Sequence, residues 1–321
     1  MKAVRIYEYG GVDVMRMEEA KPVLPGRGEA LVRVEAAGVS FGDIYHRRGF
    51  YTFTFPSTLG HEGAGIVEAV GPDTREVKTG DKVAWTCVWG SYAAHLVAPA
   101  ERLVIIPEGV EVRDAAAVMT HGLTAHALAH SICSIGAGDV CLVHAAAGGT
   151  GRLLCQMLKL LGTKVIGTVS NDFKAQVARA AGADEVIIYT KNDFAKEIVR
   201  LTAGKGARVV FDSVGKDTIE KSMQCLAPRG HLVLYGQSSG APPSIHPDAL
   251  REKSLSVTRP VLPHYIASRE ELLFRAGEVF HWLASGAVRL RIDATYPLEK
   301  AAAAHTLLEC RKSAGKILLL P

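Results

Sequence analysis

Cysteine is scarce and unpaired in this chain. Six cysteines are spread over 321 residues, none in a Cys-x-x-Cys pair, and their gaps fit no zinc spacing. Reduced thiols, no disulfide framework and no structural metal are the expectation. Charge of one sign is equally sparse. No block of five like charges occurs, and 37 basic against 33 acidic residues leave a net +4, too little to imply nucleic-acid binding. The densest basic cluster, "HRRG" at 46–49, reads as surface or the mouth of a cleft. No apolar run approaches the roughly 18 residues that span a bilayer. The opening "MKAVRIYEYGG" reads as a first strand, not a signal peptide, so cytoplasm is the expected location. Low-complexity linkers are missing too.

What is present is ordinary for a soluble globular protein: 48% apolar and 22% charged residues. The length favours two domains. The first ~115 residues carry short β-like runs between turn residues, such as "EALVRVEAAGVS" (29–40), "AGIVEAVG" (64–71) and "DKVAWTCV" (81–88). After about Asp114 the pattern changes. "VCLVHA", "KVIGTVS", "EVIIY", "RVVFDSV" and "HLVLYG" alternate with segments of helical period. Short strands apolar on both faces, separated by helices, predict a doubly wound parallel sheet. A helix over 269–286 ends on Gly286. The final apolar strand, "KILLL", has no partner that pattern alone identifies.

The most specific local signal is "VCLVHAAAGGTGRLLCQMLKLLG" (140–162). A dinucleotide fingerprint would read Gly-x-Gly-x-x-Gly; here the aligned positions hold Ala146, Gly148 and Gly151. A strand precedes the turn and a helix follows from about Gly149, so its unpaired N–H groups suit a pyrophosphate. The next strand ends Val169-Ser170-Asn171, without the acid that bonds the ribose hydroxyls of NAD. Lys174 and Tyr189 lie close by. A hydroxyl, a cation and a phenol favour a 2′-phosphate, hence NADPH. Asp172 reads as an N-cap or first-turn residue.

Beyond these patterns, the chain resembles, nearly end to end, the quinone oxidoreductase (zeta-crystallin-like) branch of the medium-chain dehydrogenase/reductase superfamily. The resemblance is carried by "AAGVSFGDIYHRRGFY", "PSTLGHEGAGIVEAVG", "HAAAGGTG", "VVFDSVGKDT", "LAPRGHLVLYGQSSG" and "TRPVLPHY". It implies an α/β protein: a Rossmann doubly wound sheet (121–286) and a mainly β, GroES-like catalytic domain built from 1–120 and 287–321. It also implies a homodimer, with "SLSVTRP" (254–260) pairing across the interface or serving as an edge strand. Alanine at the first turn position is usual in this branch.

The implied site follows by matching positions. Ser40 stands where the family usually has Asn; with Tyr45 and Tyr51 it is assigned to catalysis. Phe41, Tyr45 and Thr124 lie on the nicotinamide side. Ala146, Ala147, Gly148, Gly149 and Thr150 form the pyrophosphate turn, and Ser170, Lys174 and Tyr189 the 2′-phosphate group. Val214, Tyr235, Gly236, Gln237 and Ser238, then Pro260, Val261 and Leu262, border the nicotinamide half. Arg311 is a basic residue near the cofactor or an exposed helix-end cation. Zinc-dependent relatives in the superfamily hold a metal with Cys, His and a further ligand. Here Ser40 replaces the cysteine while His61 and Glu62 remain, which predicts no metal.

The implied reaction passes hydride or electrons from NADPH to a quinone or other conjugated carbonyl. A phenol, with a solution pKa of about 10, suits proton donation better than base work. The nearest alternative is an enone, 2-enal or enoyl-thioester reductase of the same fold. From another class, a crystallin-like structural or RNA-binding protein is the rival; lack of interleaved basic and aromatic residues argues against RNA.

Overall fold

In the computed structural model, which describes residues 1–21 and 24–321, the strand Glu29–Val39 shows how period-2 patterning becomes a sheet. Ala30, Val32, Val34 and Ala36 point into the core while the residues between them stay half-exposed. Its last four residues are all buried. There the terminal strand Lys316–Leu320 pairs with it antiparallel, Ile317 opposite Val39 and Leu319 opposite Ala37. This settles the partner of "KILLL". Glu62–Val70, Lys82–Thr86 and Val104–Ile105 continue the sheet on one side, Ile292–Pro297 on the other, and His95–Pro99 also pairs with Glu29–Val39. A smaller antiparallel sheet joins Lys2–Ile6 with Arg16–Glu19 and Ser57–Thr58. Trp85, Tyr92, Leu59 and Leu103 fill the core, each full burial of a large apolar side chain contributing about 1.5–3 kcal/mol.

These elements form one unit, Met1–Leu123 with Ile266–Pro321; the second is Thr124–Tyr265. The boundaries expected from sequence, 121 and 286, differ mainly at the second. Helix Arg269–Ala284 goes with the β unit, because the Arg269 guanidinium donates to the carbonyls of Ala100, Glu101 and Leu103 at 3.4, 2.6 and 3.1 Å. An amphipathic pattern gives a helix its buried face but not its partner.

The second unit is a six-stranded sheet, parallel throughout. Its spatial order is Glu185–Ile188, Lys164–Val169, Val140–Val143, Ala207–Asp212, Leu226–Leu234, Ser256–Thr258. The chain winds outward from Val140–Val143 in one direction, then returns beside it at Ala207–Asp212. Such a reversal opens a crevice beyond the carboxyl ends of these two strands, the usual ligand position in open α/β sheets. Helices Gly149–Leu160, Asp172–Ala180 and Ile219–Gln224 cover the sheet, which explains the apolar strands. "SLSVTRP" supplies the edge strand Ser256–Thr258. No helix among the described residues is long and apolar enough to cross a membrane.

Two helical glycines yield a prediction. Gly277 faces a groove of about 500 Å³ lined in part by Ile105, Leu273 and His281, and an added Cβ there meets nothing within 4 Å. A Cβ on Gly122 would lie 2.7 Å from Val118 Cγ2 and 3.0 Å from Val279 Cγ1. Gly277→Ala should therefore stabilise the protein by about 0.5–1 kcal/mol, and Gly122→Ala should destabilise it. Urea-unfolding midpoints that move together for the two variants would contradict this.

Candidate active site

The phosphate turn is shaped by close approach. Ala145 takes φ 50°, and the Gly148 N–H donates back to its carbonyl at 2.8 Å. Ala146 is fully buried, its N–H donating to Thr168 O at 3.2 Å. A Cβ on Gly167 would stand 2.7 Å from the Ala146 methyl, so a glycine on the neighbouring strand makes room for alanine at the fingerprint's first position. At Gly151 a Cβ would reach within 2.3 Å of Ala145 O, so glycine is required there for the helix to pack on the turn. Gly148 caps helix Gly149–Leu160 without a side-chain acceptor, and the first turn holds no acid. Its amide groups and the positive end of its dipole are suited to an anion. The donors of Ala147, Gly149 and Thr150 belong to this same turn.

Beyond the ends of strands Lys164–Val169 and Glu185–Ile188, Tyr189 N–H donates to Val169 O and the Thr190 hydroxyl to Ser170 O, at 3.0 and 2.8 Å. These bonds bring Ser170 and Tyr189 to one strand end. Asn171 caps the next helix by accepting from Lys174 N–H at 2.9 Å, which puts Asp172 and Lys174 in its first turn. The hydrogen bond from Lys191, with its charge, holds the Asp172 carboxyl below its ordinary range.

Asp212, which sequence reasoning missed, organises the remaining loops of this unit. Its buried carboxylate accepts from Val214 N, Gly215 N, Thr218 Oγ1 and Ser222 Oγ at 2.8, 3.0, 2.7 and 2.8 Å. Tyr235 N–H donates to Asp212 O, and Ser238 N–H to Ser213 O. Val214 and the 235–238 stretch, including Gly236, are thereby brought together. Arg259 donates to Gln237 Oε1 at 2.6 Å, tying in the segment that leads to Pro260, Val261 and Leu262. The signal was available: an aspartate ending a strand before Ser-Val-Gly is placed to accept from the turn that follows. Thr124 lies on helix Val112–His130, the element in which the unit boundary falls.

In the first unit, Ser40 and Asp43 form a capping box on helix Phe41–Arg47. The Asp43 carboxylate is wholly buried. Oδ2 accepts from Ser40 N and Oγ at 2.8 and 3.2 Å, and Oδ1 faces His61 Nδ1 at 2.8 Å. Burial alone would raise its pKa, but His61 and the Ser40 amide bring it down to about 2. Burial likewise opposes the His61 cation, and Asp43 outweighs it, raising that pKa. His305 extends the network. Arg47 can only donate, so His305 Nδ1 accepts at 3.2 Å and Nε2 donates to Tyr92 Oη at 3.0 Å. Burial first, and then the Asp43 and Glu62 charges, push the Tyr92 phenol well above its ordinary range, so it stays protonated.

Arg47 corrects the expectation of a surface cluster at 46–49. It is fully buried, donating to Gly10 O, His305 and Glu309; three built-in acceptors let a guanidinium leave water. Arg48 remains outside, on Glu309 at 2.6 Å. Arg311 follows helix Ala301–Glu309 with φ 54° and is exposed.

Aromatic rings make a continuous wall in this unit. Tyr45 lies 6.0 Å from Phe41, 5.4 Å from Phe50 and 6.4 Å from Tyr51. Trp89, another residue the sequence did not flag, joins Tyr51 at 6.5 Å to Phe53, His46 and His61 at 4.9, 4.5 and 5.0 Å.

The candidate zinc donors do not fit a zinc ion. Ser40 Oγ accepts from Gly42 N and bonds Asp43; Asp43 holds His61 Nδ1, which leaves His61 Nε2 as the one ring nitrogen a metal could use. Glu62 is neutralised by a buried ion pair with Lys316, and its second oxygen accepts from Thr120 N at 3.0 Å. A dication would be repelled by the lysine, and a neutral hydroxyl is a poor substitute for thiolate.

An open parallel sheet with an anion-binding turn at its reversal, in one chain with an antiparallel β unit, is the medium-chain dehydrogenase/reductase architecture. Residues 26–108 match the alcohol dehydrogenase GroES-like domain and residues 149–273 the zinc-binding dehydrogenase domain. The chain is 43% identical to a quinone oxidoreductase of Pseudomonas aeruginosa over 323 residues, covering 100% of this chain and 99% of the relative. It is 39% identical to a 2-haloacrylate reductase of a Burkholderia species, covering 99% and 98%. The crystal structure of Escherichia coli quinone oxidoreductase complexed with NADPH matches with a TM-score of 0.97 at 40% identity, covering 100% of both chains. The chain belongs to the quinone oxidoreductase family.

The buried histidines set the acid limit of the fold. Burial lowers His46 and His305 to about 4 and His121 to about 3. Unfolded, each binds its proton near pH 6.5. Between these values these three groups hold more protons in the unfolded chain, so their contribution to stability is full above about pH 6.5 and falls toward pH 4, three groups against the single opposite contribution of His61. Urea midpoints across that window should fall, and His305→Gln, which retains an acceptor and a donor, should flatten the slope. A midpoint constant from pH 7 to 4.5 would contradict it.

Proposed function

We propose that the chain is a zinc-independent NADPH:quinone oxidoreductase of the zeta-crystallin-like branch. The observation that carries this reading is the full-length 43% identity to a named quinone oxidoreductase. The anion-binding turn and the lysine-bearing ribose end of the same chain agree with it. The amides of the 146–150 turn would hold the pyrophosphate. Ser170, Lys174 and Tyr189 would hold the 2′-phosphate. Thr124, Val214, the 235–238 loop and Pro260–Leu262 would flank the nicotinamide. Bound NADPH supplies a hydride from its nicotinamide ring. The protein contributes binding, orientation and a proton route. The rings of Phe41, Tyr45 and Tyr51 offer packing to a planar acceptor, and either phenol can donate a hydrogen bond to a reduced oxygen. Ser40 acts through Asp43, as a positioning residue. A quinone is already electrophilic, so orientation can supply much of the rate.

A second reading, reduction of an activated alkene, is favoured by the 39% identity to a 2-haloacrylate reductase. We assign the protein to the cytoplasm as a homodimer, pairing along the edge strand Ser256–Thr258.

Steady-state turnover separates these readings. With NADPH, 1,4-benzoquinone should be reduced faster than 2-chloroacrylate or a crotonyl thioester, NADH should be the poorer donor, and chelators should leave the rate unchanged. Faster turnover of either alkene would move the assignment to the second reading. Gly148→Val should abolish NADPH binding measured by fluorescence titration, since the branched side chain stands where the phosphates approach; unaltered affinity would remove the turn from the site.

A further inference from the structure

Asp172 is the awkward residue of the ribose end. As the first residue of helix Asp172–Ala180 it suits the helix dipole. Yet a 2′-phosphate carries close to two negative charges, and an acid near this strand end is what favours the unphosphorylated ribose. The side chain is 73% exposed, and Oδ2 lies 2.7 Å from Nζ of Lys191, itself 57% exposed. Backbone geometry brings that lysine there. Tyr189 and Thr190 are tied to Val169 and Ser170, and Lys191 N–H turns back to Ile188 O at 2.9 Å. An exposed pair of this kind adds little to folding stability, so stability does not account for its placement. Its charge does. Lys191 offsets the Asp172 charge beside the strand end that carries Ser170; without it the acid keeps its full charge there.

We infer that Lys191 is a cofactor-specificity residue, screening Asp172 and offering a second cation to the 2′-phosphate. The inference rests on the NADPH reading, and binding of adenosine fragments separates the two. By calorimetry, wild-type protein should bind 2′,5′-ADP more tightly than 5′-AMP. Lys191→Met should weaken 2′,5′-ADP about tenfold and flatten its salt dependence, with 5′-AMP little changed. Adding Asp172→Asn to that variant should recover most of the loss. Wild-type protein that binds the two fragments equally overturns the cofactor reading and the inference with it. A wild-type preference that survives Lys191→Met, a loss shared by both fragments, or a loss that Asp172→Asn leaves in place overturns the inference alone.

Discussion

The buried carboxylate of Asp43 is the constraint on which the arrangement of the β unit's candidate residues depends. An ionised group out of water must be met by donors or it neutralises. Asp43 is met by Ser40 through backbone and side chain and by His61. Each donor is fixed in return. Ser40 becomes the cap of the helix that carries Tyr45, and the His61 ring is held against Trp89. The same helix ends at Arg47, which bonds His305 and Glu309, so helix Ala301–Glu309 is tied to it. The network is fully connected where it is most buried, the condition under which buried polarity specifies one arrangement instead of weakening the core.

Asp212 does the corresponding work in the nucleotide-binding unit by a different route. It is satisfied by two amides and two hydroxyls, and the amides belong to the loop it positions. The strand it ends runs beside the one that enters the phosphate turn. The reversal of strand order therefore places an anion-binding helix end and an aspartate-braced loop at adjacent strand ends. One is built for charge, the other for shape.

Legibility in the sequence followed range. The alternation of strands and helices, the turn at Ala146–Gly151 and the first-turn place of Asp172 are local, and their periods and spacings carry the information. The partner of Lys316–Leu320 and the allegiance of helix Arg269–Ala284 depend on contacts hundreds of residues away, which no period encodes. Arg47 was misjudged because charge usually means surface, and its acceptors His305 and Glu309 come from the far end of the chain. Lys191 went unnoticed because the fingerprint stops at the second strand, while the compensating cation comes from the end of the third.

The Glu62–Lys316 pair links the fold to the chemistry. Burying two opposite charges is no route to stability in itself, but removing either partner strands the other and costs about 3–5 kcal/mol. The pair thus commits the terminal strand to its place beside Glu29–Val39. It also puts an ammonium on the carboxylate that remains where zinc-dependent relatives gather their ligands. With the lysine present, Glu62 is spent on Lys316 and Thr120 N–H, and Ser40 puts a neutral hydroxyl where a thiolate would be needed, so His61 Nε2 alone makes no metal site. Oxidising an alcohol needs a Lewis acid or a general base to take the hydroxyl proton as hydride leaves; a conjugated acceptor needs orientation and a proton. The donor arrangement of this unit leaves no complete metal site, so the ion pair that ties down one strand of the β sheet is also what keeps Glu62 out of metal chemistry.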